Sequence, residues 1–162
     1  MLQTKYGYES QQGVPGGLVD SSLRDIISRA NGETSHTYIM PGLGIVQGSN
    51  PGDNIKLPTA NSTPDLFEGV VMTGITEHDL DGDIRINPTK MLNILAWGKI
   101  WVRVPDNLTV SYGDKAFLII TGSDIGKFTN DQNAGIDISA KFIGSVNSGN
   151  IAPLMLFNAP RA

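Results

Sequence analysis

Cysteine is absent from all 162 residues, so neither a disulfide framework nor a thiolate metal site can be built, and a core must do the stabilising alone. Histidine is nearly absent too. His36 and His78 stand alone without a second histidine at metal-ligand spacing, which argues against a cupin-type centre. No apolar run approaches the ~20 residues of a membrane helix, and the start, Met-Leu-Gln-Thr-Lys-Tyr-Gly, has no apolar leader region. The expectation is therefore no membrane partner and no export. Basic clusters are lacking as well: 12 Lys and Arg are scattered among 16 Asp and Glu, giving a net charge of −4, so the field offers nucleic acid little attraction.

The catalytic vocabulary is equally thin. There is no G-x-S-x-G, no P-loop and no G-x-G-x-x-G between a strand and a helix, so no enzyme activity is expected. Asp79, Asp81 and Asp83 resemble the opening of a calcium loop, but the glycine falls at the fourth position and Lys90 stands where a bidentate glutamate is required. That excludes an EF-hand and leaves a solvated turn or a weak cation site. No cofactor is expected.

Glycine, by contrast, is plentiful at 19 residues, which implies many tight turns. Between them lie short alternating runs. The longest is Met91 to Val104, in which Leu92, Ile94, Ala96, Gly98, Ile100, Val102 and Val104 form the period-2 face of a half-buried strand. The opposite face carries Trp97, Lys99, Trp101 and Arg103, two aromatics and two cations that call for a cover, with the indoles about 13 Å apart. Gly98 is the weak point of this pattern, since a bulge there flips every later side chain.

The rest of the chain reads the same way. Leu43 to Val46, Ile55 to Leu57, Phe67 to Ile75, Ala116 to Ile120, and a hairpin of Ile136 to Val146 with Ile151 to Phe157 are predicted strands, the last two joined across Asn147-Ser148-Gly149. Residues 20–29 fit either a short helix capped by Asp20 or Ser21, or an extended entry to a first strand at Ile26. Residues 122–135 form a long polar loop, of the length that is usually functional or disordered. The expected fold is all-β, an antiparallel β-barrel or jelly-roll-like sandwich over residues 26–162. Residues 1–25, rich in Gln, Gly and Ser, are expected as an extended N-terminal arm, either a frayed end or a segment that orders on a partner.

Taken in order, several short motifs resemble a known family. They are Gln12-Gly13-Val14-Pro15-Gly16-Gly17-Leu18-Val19-Asp20, the run Pro41-Gly42-Leu43-Gly44-Ile45-Val46-Gln47-Gly48, Ile55-Lys56-Leu57-Pro58, and Glu68-Gly69-Val70. Gly98-Lys99-Ile100-Trp101-Val102, Tyr112-Gly113-Asp114-Lys115 and the closing Ala140 to Phe157 hairpin follow. Their order and spacing resemble the structural cement, or decoration, proteins of tailed bacteriophages. The resemblance implies a small β-protein of the virion, assembled in the host cytoplasm, that binds the major capsid protein on the outside of the expanded head as a homodimer or homotrimer. It carries no catalytic residues. From the residues themselves, the expected capsid or subunit contacts are Tyr6, Tyr8, Val14, Trp97, Lys99, Trp101, Arg103, Lys127 and Phe128. The competing classes are a tail-associated or carbohydrate-binding β-sandwich module using Trp97 and Trp101 as stacking platforms, and a small hydrolase using Asp79 and Asp83.

Overall fold

The computed structural model describes residues 13–34, 38–74 and 86–157. Nine strands run through them: β1 (Asp25–Asn31), β2 (Gly44–Gln47), β3 (Asn54–Lys56), β4 (Phe67–Val71), β5 (Met91–Arg103), β6 (Lys115–Ile119), β7 (Phe128–Thr129), β8 (Gly135–Phe142) and β9 (Ile151–Leu156). No α-helix occurs among the described residues; a single 3-10 turn, Pro64–Leu66, precedes β4. Residues 20–29 take the extended option and lead into β1.

The strand order is β1-β3-β2-β4-β5-β9-β8-β6-β7, and β1 also pairs with β5. That pairing closes β1-β3-β2-β4-β5 into a five-stranded barrel. A ring with an odd number of strands cannot alternate direction all the way round, so at least one neighbouring pair must be parallel. It is β1 with β3, where Ala30 faces Asn54 and Asn31 faces Ile55. The barrel is accordingly mixed rather than purely antiparallel, while every other strand pairing is antiparallel.

Two apolar cores result. Ile45, Ile55, Val71, Leu92 and Ile94, joined by Ile39, Ile86 and the half-buried Ile27, fill the barrel. Val46, Phe67, Val70 and Leu95 leave the other side of the same barrel strands and pack against a second sheet, where Ile100, Val102, Phe128, Phe142, Leu154 and Leu156 complete the larger core. The barrel wall is thus buried on both faces. This is why β2, β4 and β5 carry consecutive apolar pairs, Ile45-Val46, Val70-Val71 and Ile94-Leu95, where a strand with one wet face would alternate.

β5 is the element the two halves share. Its first part, Met91 to Trp97, pairs with β1, and its second part, Gly98 to Arg103, pairs with β9. The register slips opposite Asp25 and Ile26, and Gly98 takes a φ of 130°, so the buried parity changes between Leu95 and Ile100. The even-numbered positions therefore do not form one core face: Leu92 and Ile94 point into the barrel, whereas Ile100 and Val102 point into the larger core. The bulge falls at Ala96, since Asp25 faces Trp97 and Ile26 faces Leu95, and it is what lets a single strand line two cores.

Candidate interaction face

In the second sheet, the residues that alternate with the core face one outer side, where Ile151 and Pro153 of β9 are themselves covered. β5 contributes Lys99, Trp101 and Arg103, β9 Pro153 and Met155, β8 Lys141, and β6 Lys115. Strand register brings them into rows. Lys115 stands opposite Lys141, Lys141 opposite Met155, and Met155 opposite Lys99, a line across four strands. At about 4.8 Å per strand it spans about 14 Å. One step along, Trp101 stands opposite Pro153, whose carbonyl accepts from the Ile143 amide at 2.9 Å.

The Trp101–Pro153 pair floors an open groove of about 740 Å³, bounded by residues 13–19 on one side and 143–147 on the other. The first wall is bonded to the sheet through its backbone. The Gly16 amide donates to the Trp101 carbonyl at 2.8 Å, the Trp101 amide to the Gly17 carbonyl at 2.9 Å, and the Val19 amide to the Lys99 carbonyl at 3.3 Å. Leu18 bridges Ile100, and the Thr73 amide donates to the Gly16 carbonyl at 2.9 Å, tying the same segment to the end of β4. Gly13 lies so close to the Trp101 indole that a Cβ there would stand 2.1 Å from a ring carbon. Of the stretch set apart by composition, residues 13–25 thus lie on the β-domain, and residues 1–12 are outside the described residues.

Two of the three lysines in the row are neutralised within the chain. Lys99 meets Asp20 at 3.0 Å. Asp20 also accepts from the amide of Ser22 at 2.9 Å and from its hydroxyl, and these bonds, with Lys99, hold its carboxyl well below its ordinary 3.8, at about 2. Lys115 meets Asp137 at 2.6 Å, and together with the Ser139 amide it lowers the Asp137 carboxyl. Lys141 has no carboxylate among the described residues; its ammonium lies 5.9 Å from the centre of the Tyr112 ring and 5.5 Å from that of Phe157. Arg103 closes the far end, its Nε donating to the Pro41 carbonyl at 2.7 Å.

A family model for the structural cement protein (E217 gp24/Pam3 gp6) matches residues 2–157, nearly the whole chain. The chain belongs to the phage structural cement proteins. A solved chain from the capsid of Myoviridae phage XM1 shares the fold, with a TM-score of 0.72 at 15% identity over 95% of this chain and 96% of that one. Comparison with curated proteins gives no match.

In this cement protein the residues expected as contacts do not all share one face. Lys99, Trp101 and Arg103 share the outer face, and Val14 is exposed on the groove wall. Trp97 is apart from them: it belongs to the barrel half of β5, half-buried opposite Asp25, so the two indoles do not floor one groove. Lys127 lies in the loop before β7, half-buried and paired with Asp124 at 2.8 Å. Phe128 requires correction, because it is fully buried in the larger core and has no surface to give a partner. The polar loop that carries it is pinned by β7 pairing to β6, which turns this aromatic inward. Tyr6, Tyr8, Asp79, Asp81 and Asp83 lie outside the described residues.

Lys115, Lys141, Met155 and Pro153 were not among the expected contacts. Each neighbours a core residue, Ala116, Phe142 or Leu154, but the cross-strand register that aligns them with Lys99 is non-local and includes an irregularity in β8, where Ala116 faces Ala140 and Phe117 faces Asp137.

Proposed function

We propose that this cement protein binds the outer surface of an expanded phage head, contacts the major capsid protein of more than one subunit, and acts without catalysis. The observation that supports this best is the outer face itself. A rigid sheet presents Lys99, Trp101, Lys115 and Lys141 in fixed rows, and half of its rim is a segment fastened through backbone hydrogen bonds. Such a face needs no rearrangement to dock, so little ordering entropy opposes binding. Tyr6 and Tyr8 are proposed as further anchors in an arm that precedes it.

The protein is further proposed to act as a homodimer or homotrimer, since several modest faces held in one closed oligomer gain avidity on a repeating lattice. Light scattering of the free protein tests this directly; a monomer at tens of micromolar would count against it. For head binding, the experiment is cosedimentation with expanded heads that lack the protein, followed by heating of the particles. Saturable binding and a raised temperature of capsid disruption are expected; pelleting no better than a non-phage control would end the proposal.

A further inference from the structure

We infer that the aromatic-flanked Lys141 is a receptor for a carboxylate on the capsid surface, an aspartate or glutamate side chain that completes the charge balance of the lysine row. This inference rests on the head-binding proposal and specifies its chemistry. Three observations carry it. First, Lys99 and Lys115 on the same row each hold an acidic partner from their own chain, whereas Lys141, between them, does not among the described residues. Second, its ammonium is flanked by Tyr112 and Phe157, two large rings that are 73% and 42% exposed. Third, the backbone bearing both rings is tied to β8. The Gly113 amide donates to the Phe142 carbonyl at 2.8 Å, and the Phe157 amide to the Ser139 carbonyl at 3.0 Å, so the backbone that carries each ring is anchored to β8 beside the lysine.

A cation between two exposed aromatics has the composition of an interface centre. The rings exclude water from the contact, and in that drier setting a charge-assisted hydrogen bond to a carboxylate gains strength. Two other occupants fit less well. A second copy docked symmetrically on this patch would set Lys141 against Lys141, a like-charge contact. A polyphosphate would need several free cations, and this row offers one, on a chain of net charge −4.

The test is a cosedimentation titration of the full-length protein on expanded heads, comparing wild type with Lys141→Glu, Lys141→Arg and Tyr112→Ala at low and moderate salt. Melting curves serve as the control for folding. Lys141→Glu should weaken binding by on the order of tenfold or more, while Lys141→Arg should stay within about threefold of wild type. Tyr112→Ala, at a ring too exposed to support the fold, should also weaken binding. Wild-type affinity should fall more steeply with salt than that of Lys141→Glu. If wild type binds and Lys141→Glu binds equally well, this inference is wrong and the head-binding proposal stands. Failure of the wild type to bind removes the proposal beneath it as well. If Lys141→Glu changes only self-association in light scattering, the patch belongs to a second copy and the inference is overturned.

Discussion

The Gly16 amide donates to the Trp101 carbonyl at 2.8 Å, fastening the start of the described chain to the far end of its longest strand. Gly16 is buried with a φ of 75°, and a Cβ there would lie 2.6 Å from the Thr73 nitrogen and 2.7 Å from the Val71 oxygen. Both the dihedral and the space require glycine.

Gly16→Ala should therefore destabilise the domain by about 1–3 kcal/mol, from left-handed strain and backbone overlap together. Urea denaturation measures it. The segment it anchors also makes residues 13–20 part of the stable unit, so deletion of residues 1–20 should lower the melting temperature, and an unchanged melt would show that the backbone bonds to β5 carry no stability.

Phe128→Ala should cost about 3–5 kcal/mol, because a fully buried ring leaves a cavity against Gly44 and Leu118. Trp101→Ala should cost less, about 1–3 kcal/mol, since its ring is half-buried on an open groove. The same denaturation curves rank the two. A reversed order would mean that Trp101, not Phe128, is the core aromatic.

Low pH should loosen the strap that crosses Trp101. The folded Asp20 carboxyl sits at about 2 against an ordinary 3.8, so its contribution is fully present above about pH 4 and disappears as pH falls toward 2. Asp114 and Asp137 are lowered too, by hydrogen bonds from the Ser111 amide and from Lys115 respectively, and their contributions are lost in the same direction. In a Trp97→Phe background, where Trp101 is the remaining indole, its fluorescence should change across this window. Asp20→Asn should abolish the part of the change that belongs to the strap; an identical profile in both proteins would remove Asp20 from its anchoring.

How far the chain disclosed this arrangement can be judged residue by residue. Phe67 to Val71, Lys115 to Ile119 and the Gly135–Phe142 with Ile151–Leu156 hairpin form strands where local alternation and turn residues predict them, because both signals lie within a few residues. A bulge in this strand is expected at Gly98 and falls two residues earlier, at Ala96, because the barrel closure that requires it depends on β1 meeting β5, a pairing between residues more than sixty positions apart. Phe128 looked like surface for the converse reason. Its neighbours are polar, and nothing local records that two residues of β7 pair with β6 and bury it. Residues 13–20 show no apolar period because they are held by their amides and carbonyls, which every sequence has. On the outer face, Lys99, Trp101 and Arg103 share a strand and so can be grouped from the sequence, whereas Lys141 and Lys115 join them only through register.

Electron cryo-microscopy of expanded heads incubated with the protein tests the cement role most directly. We expect added density on the outer surface, bridging boundaries between capsid subunits, with the Lys99, Trp101 and Lys141 face turned toward the shell. Heads without added density, or density confined to the tail, would contradict it.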